Sequence, residues 1–512
     1  MARAADLILY NANVLTLDPQ RPRAQMVAVK DGKIIRVGDS DERSDLEGRK
    51  IDCQGRTLVP GFNDAHCHIL AFASALLSVD CSPSSVASIA DIKAQIRKQA
   101  RKLPKGTWIR ATGYNEFYLT EKRHPNRYDL DEAAPDHPVK LAHRSGHACI
   151  LNSLALAHVG ISMESPEPPG GMIERDLDSG EPNGILFEMN TYIDSLVPPL
   201  SEDEFHKGIV LANEEYLSLG ITSLQDATAH NGIREWHAFR RLREGGSLVP
   251  RLSVMMGIES LGELQGNGFA PHYGDDGMRL GALKIVLTEA RGSLHPEEEE
   301  LKEQVLQAHR AGYQLALHAV EESTVEAAIK ALAHALSQAP KRDHRHRIEH
   351  CSVCPPALLE GLRDVHIIVV TQPSFIYYSG ERYLRTVPES QLRWLYRIGS
   401  FLESGLMPAA GSDSPVAPIN PLVGIYGAVT RKAENGEELL PQERISPVAA
   451  LKMYTQSAAY ASFDEGVKGS IVVGKLADFA LLSADPTKVP PEEIKDIQVE
   501  MTIAGGRITW QA

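Results

Sequence analysis

The sequence predicts an α/β protein: a (β/α)8 TIM barrel, with a β-sandwich built from both termini and an α+β insertion after barrel strand 1. Three observations carry this reading. Through the middle of the chain, short apolar runs alternate with longer helical patterns, the rhythm of βα units that build a parallel sheet or barrel. Eight such runs can be picked out, the number a closed barrel needs. Both ends of the chain have a different texture, with short strands separated by Gly and Pro turns.

In chain order, residues 1–56 read as strands at Asp6-Leu-Ile-Leu-Tyr-Asn, Met26-Val-Ala-Val and Lys33-Ile-Ile-Arg-Val, the last entered through the turn dipeptide Asp31-Gly32. Residues 57–81 open the barrel, with Thr57–His68 as its first strand. Residues 82–199 lose the rhythm; this stretch holds Pro166-Glu-Pro-Pro-Gly-Gly and is expected to be an insertion over the barrel mouth. The barrel resumes over 200–460, with strands expected at Thr222–Asp226, Arg251–Met256, Leu283–Leu287, Gln314–His318, Arg347–His350, Ile367–Thr371 and Met407–Asp413. Residues 461–512 return to strands at Gly469-Ser-Ile-Val-Val-Gly-Lys, Asp478-Phe-Ala-Leu-Leu and Glu500–Thr509. Termini of a domain often lie close together, so the two ends are expected to share one sandwich.

Composition narrows the function classes. Lys plus Arg number 53 against 67 Asp plus Glu, and the formal charge of −14 argues against a nucleic-acid surface. No apolar run approaches the ~18 residues that would span a bilayer, and the first residues lack a signal-peptide core, so the expected compartment is the cytoplasm. Six scattered cysteines do not make a disulfide framework, and Cys351 and Cys354, a CxxC without a second pair, read as reduced residues after a strand.

The sharpest motif is Gly61-Phe-Asn-Asp-Ala-His66-Cys67-His68. An apolar strand runs into two histidines one residue apart, and residues i and i+2 of a strand face the same side. Both imidazoles can therefore meet at the C-terminal end of the strand, where barrel enzymes place their chemistry. His318, in Leu315-Ala-Leu-His-Ala, and His350, in His346-Arg-Ile-Glu-His, stand at equivalent strand ends. Taken singly, each is an ordinary hydrogen-bonded histidine; together the four suggest ligands for a metal such as Zn²⁺. Asp413, in Gly411-Ser-Asp-Ser-Pro, reads either as a turn or N-cap residue or as a carboxylate that a metal would stabilise. Lys284, in Ala282-Leu-Lys-Ile-Val-Leu, either snorkels to the surface or stays neutral enough to form a carbamate bridging two metals.

The order HxH, Lys, His, His, Asp resembles the amidohydrolase superfamily, metal-dependent hydrolases on a distorted (β/α)8 barrel. The tail from Gly469 to Leu482 is similar to that family's closing motif. Gly113-Tyr-Asn-Glu, Pro138-Val-Lys-Leu, the run from Gly146 to Leu156 and Glu181-Pro-Asn-Gly-Ile-Leu-Phe-Glu resemble the family 3 branch that includes N-substituted formamide deformylase. The resemblance implies a binuclear centre. His66 and His68 would hold one Zn²⁺ with Asp413, His318 and His350 the other, and carboxylated Lys284 would bridge them. Mn²⁺, Fe²⁺ or Co²⁺ would suit the same donors. Two stretches depart from relatives: Thr288-Glu-Ala-Arg-Gly stands where Asp-Gly is typical, and Glu321-Glu322 where Gly-Asp is frequent.

The expected activity is hydrolysis of an amide, of non-peptide or N-acyl type, by a metal-activated hydroxide, with Asp413 as the catalytic proton carrier. The alternatives are an ester, lactone, carbamate or cyclic amide cleaved at the same site, or a decarboxylase with a single metal. His147, Tyr114 and Asn115 of the insertion, with Phe375, Tyr377 and Tyr378 after the seventh strand, are the expected contacts to a small aromatic or hydrophobic substrate. No nucleic-acid or membrane partner is expected; a homo-oligomer, dimer or higher, is compatible with the sequence.

Overall fold

The structure, a computed structural model, describes residues 3–168, 170–290 and 293–512. Pro169 of the Pro-rich run and Arg291-Gly292 of the first departing stretch therefore lie outside the described residues. The chain divides into two compact units, one of residues up to His68 and from Asn213 onwards, the other Ile69–Ala212.

In the first unit, strands from both ends of the chain interleave. A six-stranded sheet runs Arg507–Gln511, Val499–Ala504, Phe479–Leu482, Thr57–Pro60, Asn13–Leu15 and Arg23–Ala24. A four-stranded sheet runs Lys33–Gly38, Met26–Lys30, Arg3–Tyr10 and Leu46–Asp52. Strand Met26–Lys30 shows how the sequence specifies this. Val27 and Val29 turn one way, into a core shared with Leu58, Phe479, Leu481 and Ile503 of the other sheet. Met26 and Ala28 turn the other way, onto Ile8 and Leu46. Each fully buried aliphatic side chain in such a core contributes about 1.5–3 kcal/mol.

The same unit holds eight parallel strands, hydrogen-bonded in chain order: Phe62–Cys67, Ile221–Asp226, Arg251–Gly257, Met278–Val286, Leu315–Ala319, Arg347–His350, Ile368–Thr371 and Ala409–Ala410. Apart from Val286 at the end of the fourth, their large apolar residues are buried on both faces, as parallel strands covered by helices require. Between the fourth and fifth strands, helix Glu298–Arg310 buries Leu301, Val305 and Ala308 at helical spacing. The ring is nearly closed. Asp413 N donates to His66 O at 2.7 Å and His68 N to Ser414 O at 3.0 Å, joining the segment after the eighth strand to the first.

Three barrel strands differ from the sequence expectation, and Gly469-Ser-Ile-Val-Val-Gly-Lys, expected as a terminal strand, forms bends and turns instead. Thr57–His68 is two strands in two sheets, Thr57–Pro60 and Phe62–Cys67, and Gly61 makes the crossing. Gly61 N bonds to Asp478 O beside the terminal sheet, whereas Phe62 N bonds to Gly220 O in the barrel, both at 2.9 Å. A Cβ at Gly61 would lie 2.1 Å from Thr222 Oγ1, so only glycine passes. Met407–Asp413 shrinks to Ala409–Ala410, bounded by Pro408 and by Gly411, where a Cβ would lie 2.6 Å from His66 Cβ. The fourth strand instead begins earlier, at Met278.

The second unit is an α+β body. Its six-stranded mixed sheet runs Met172–Arg175, Pro182–Phe187, Ala148–Leu151, Val139–His143, Ile109–Tyr114 and Val79–Asp80. Ile92 and Ile96 of helix Ile89–Ala100 pack on that sheet with Ile109, Leu141 and Ile150. No helix among the described residues is long and apolar enough to cross a membrane.

Candidate metal centre

Parallel strands deliver the expected ligands to one end of the barrel. His66 is the penultimate residue of the first strand and His68 follows its end; their rings meet edge-on, centroids 5.4 Å apart. His350 closes the sixth strand, its ring 4.8 Å from that of His66 and 4.4 Å from that of His318 on the fifth. Asp413 Oδ1 lies 3.1 Å from His68 Nε2 and 3.4 Å from His66 Nε2. His66, His350 and Asp413 present ligand atoms all within 4.8 Å of one another. His68 and His318 stand outside this trio, His68 against His66 and Asp413 and His318 against His350.

Lys284 joins them from the fourth strand. Its register neighbours are Gly257 and Ala316, whose small side chains leave volume for a long one. Lys284 is buried, and its Nζ has no hydrogen-bond partner among the described residues. A snorkelling lysine would have its amine in water; this one does not.

Two ligands depend on unusual backbone. His350 has φ 70° and Asp413 φ 58°, in the left-handed region that costs a non-glycine residue of order 1–3 kcal/mol. On a regular strand, His350 would face away from its neighbour Glu349. The turn at His350 lets both meet His66, whose Nδ1 bonds to the Glu349 carboxylate.

The charges are tightly coupled. Burial and the Lys284 ammonium press the His66 pKa down, but Glu349 and Asp413 outweigh them and it ends raised. Burial would raise the Asp413 carboxyl, yet hydrogen bonds from His66 and His68 and the charge at His350 hold it well below the usual carboxylate range. Burial pushes His350 down to about 3 and, with His350 and Lys284 beside it, His318 well below its ordinary value. Lys284 is lowered to about 8, chiefly by burial against the pull of Glu349. Neutral imidazoles at His318 and His350, an ionised carboxylate and an amine poised for deprotonation are states in which such groups bind a cation, whereas His66, with its raised pKa, would have to give up a proton to join them.

The sequence reading missed the groups behind the ligands. Besides Glu349 on His66, Thr228 Oγ1 lies 2.9 Å from His68 Nδ1, and Gln372 Oε1 accepts from His350 Nδ1 at 2.9 Å. Asp64 accepts from Ser412 N at 2.9 Å and from its hydroxyl, tying the Asp413 loop to the first strand; burial lifts its pKa to about 6. Only Glu349 carried a signal: Arg347-x-Glu349 puts two charges on one face of an apolar strand, where they must pair.

The expected substrate contacts fall as follows. Phe375, Tyr377 and Tyr378 open helix Ser374–Thr386 after the seventh strand. Phe375 is buried edge-on to Tyr396, and Tyr377 packs between Tyr378 and Tyr426. In the insertion, Tyr114 lies in the unit's own core with its hydroxyl 2.8 Å from His124 Nδ1. Asn115 Oδ1 accepts from Phe117 N, and exposed His147 pairs with Glu188 at 3.0 Å. The two departing stretches meet each other: strand Thr288–Ala290 pairs with Ser293–His295, and Glu289 accepts from the hydroxyl of Ser323, next to Glu322. Cys351 and Cys354 are buried free thiols.

A parallel barrel that gathers four histidines, an aspartate and a desolvated lysine at one end of its strands defines a metal-dependent hydrolase. Residues 49–510 match the amidohydrolase family, and the chain belongs to it. It is thereby an enzyme of carbon–nitrogen bonds other than peptide bonds. N-substituted formamide deformylase of Arthrobacter pascens is 30% identical over 542 residues, covering 100% of this chain and 99% of that one. Two solved structures share the fold. An uncharacterised metal-dependent hydrolase of Pyrococcus furiosus has a TM-score of 0.73 at 24% identity, over 94% of this chain and 100% of the other. A second, from Pyrococcus horikoshii, reaches 0.76 at 21%, over 95% and 99%.

Proposed function

We propose that the protein hydrolyses the amide bond of a small N-acyl amine, N-formyl compounds first among them, at a centre of two divalent cations. The observation that carries this reading is the buried, unpartnered Lys284 amine among His66, His68, His318, His350 and Asp413. An orphaned buried amine is unfavourable by itself. Reaction of its neutral form with CO₂, releasing one proton, would make it a carbamate with two oxygens to share between two ions. His66, His68 and Asp413 would hold one ion and His318 and His350 the other. Zn²⁺ suits these nitrogen and oxygen donors, as do Mn²⁺, Fe²⁺ and Co²⁺. When bound, such ions polarise a carbonyl and acidify water near neutral pH.

The chain's own part in the reaction falls to Asp413. Its Oδ1 sits among the ligand histidines, ionised, where it can take a proton from attacking water and return it to the leaving nitrogen. The relative from Arthrobacter pascens supports an N-formyl substrate, and the Phe375, Tyr377 and Tyr378 group supports an aromatic or hydrophobic substituent on nitrogen. His147 and Asn115 remain candidates for substrate contact; Tyr114, with its ring in the insertion core, would act by holding His124.

Elemental analysis of protein purified without chelator, beside a Lys284→Ala variant, tests the centre. Two ions falling to one or none is the expected result; one ion in both makes Lys284 a bystander and turns attention to a mononuclear reaction, decarboxylation included. A panel of N-formyl and N-acetyl benzylamines, esters, lactones, carbamates and cyclic amides tests the bond. Turnover confined to the esters or lactones would overturn the amide assignment.

A further inference from the structure

Resting on that reading of the centre, we infer that Glu349, held by Arg347, is a positioning residue for the His66 half of the site. It orients the ring with Nδ1 as the donor and Nε2 as the ligand atom, and makes this half the tighter of the two.

The geometry is specific. Glu349 and Arg347 lie two apart on the sixth strand and are 0% and 1% exposed. One Glu349 oxygen, Oε1, accepts from Arg347 Nε at 2.5 Å; the other, Oε2, accepts from Arg347 Nη2 at 3.1 Å and from His66 Nδ1. The same guanidinium reaches past the carboxylate. Its Nη2 also donates to Ala65 O at 2.6 Å, and its Nη1 to Gln225 Oε1 at 2.6 Å. Gln225 in turn donates through Nε2 to Ala458 O at 2.7 Å and to Asn63 Oδ1 at 3.3 Å. Arg347 therefore grips the peptide carbonyl next to His66 and the carboxylate that grips its ring. Main chain and side chain of one ligand are set by one buried cation.

The other ligand histidines have nothing equivalent. His68 Nδ1 meets a hydroxyl and His350 Nδ1 a neutral amide, while the ring of His318 has no hydrogen-bonded partner among the described residues. A carboxylate behind a ligating imidazole makes it a stronger donor and fixes its tautomer, where a neutral acceptor does so weakly. The competing explanation is that Glu349 only neutralises Arg347, since a lone buried guanidinium is strongly destabilising.

Three chains decide between them: wild type, Glu349→Gln, and Arg347→Met with Glu349→Gln, which removes both buried charges. Each is stripped of metal, its melting temperature taken, and its zinc affinity measured by competition with a chromophoric chelator. Glu349→Gln is expected to weaken the tighter binding step about 10–100-fold. The double variant, which removes the unpaired cation but leaves Ala65 O and Gln225 Oε1 without their donor, is expected to recover part of the melting temperature lost in Glu349→Gln and still bind as weakly. If Glu349→Gln fails to fold, the double variant carries the decision. Recovery of wild-type zinc affinity in the double variant, or wild-type affinity in Glu349→Gln, overturns the inference while leaving the centre intact. A wild-type chain that takes up no zinc overturns the metal-centre reading and this inference with it.

Discussion

Two histidine clusters lie at opposite ends of one four-residue strand, and they differ in whether their hydrogen-bonding capacity is spent. At the strand's start, His346 Nδ1 accepts from Leu315 N at 3.0 Å, and its Nε2 meets His309 Nδ1 at 2.9 Å. His309 Nε2 donates to Ala339 O at 2.6 Å. His344 Nε2 donates to Val365 O at 3.0 Å, and its Nδ1 accepts from His346 N at 2.9 Å. Every ring nitrogen of the three is used, mostly on backbone groups. At the strand's other end, His350 joins His66, His68 and His318; one nitrogen of His66, of His68 and of His350 is tied back, the Nε2 atoms of His66 and His68 turn towards Asp413, and the Lys284 amine stays bare. The closed cluster is buried throughout, whereas in the open one His66 and His350 are buried and His68 and His318 half-buried. The closed one joins loops and strand starts; the open one has lone pairs left for a cation.

The largest expected effect belongs to the open cluster. Asp413→Asn should lower kcat by about 10²–10⁴-fold, the range of a lost proton carrier, with the protein folded. Steady-state rates on a turned-over amide, with a melting curve, check it; an unchanged kcat would remove Asp413 from the chemistry. The closed cluster should behave in the opposite way. His346→Ala leaves Leu315 N and His309 without their partner and should cost about 1–3 kcal/mol of stability, with metal content and kcat unchanged. Chemical denaturation and elemental analysis read the two sides; lost metal would dissolve the distinction between the clusters.

The pH dependence of stability sharpens it. Burial, reinforced by His344 and His309, keeps the folded pKa of His346 well below the ordinary histidine value of about 6.5, and burial also lowers His344. The unfolded chain takes up protons on these rings as pH falls below about 6.5 and the folded chain does not. Their contribution is therefore intact above about 6.5 and lost below it, by up to about 1.4 kcal/mol per pH unit for each ring. His346→Ala should flatten the fall in melting temperature between pH 6.5 and 5 relative to wild type; parallel curves would show that His346 is already charged in the fold. The smallest effect is expected from Thr228→Val. It deprives His68 Nδ1 of a neutral partner worth about 1 kcal/mol, and zinc affinity should drop about fivefold or less.

Legibility followed local pattern. The six ligand candidates were visible because each ends or interrupts an apolar strand, and the βα rhythm is a short-range property of the chain. Glu349 was read past, although it stands in the same run as His350, because its meaning depends on Ala65, His66 and Gln225, more than a hundred residues away in sequence. Gln372 and Thr228 have no signal at all: a Gln after a strand and a Thr in a loop acquire a role only when a ring nitrogen arrives opposite them. The strand spanning Thr57 to His68 was read as one because apolar pattern persists across Gly61, while the crossing between sheets is set by how closely Thr222 approaches.

The sequence by itself determined the parallel barrel, the chain order of the candidate ligands and the family, since periodicity, strand-end histidines and a lysine inside an apolar run are written locally. Tertiary structure alone decided three things. It turned His350 and Asp413 into the centre through left-handed backbone, which no residue type there announces. It left Lys284 without a partner, a property of what surrounds the amine rather than of the amine. And it separated histidines with ring nitrogens left open from histidines that brace, because hydrogen-bond closure depends on the distance between groups that the chain brings together only by folding.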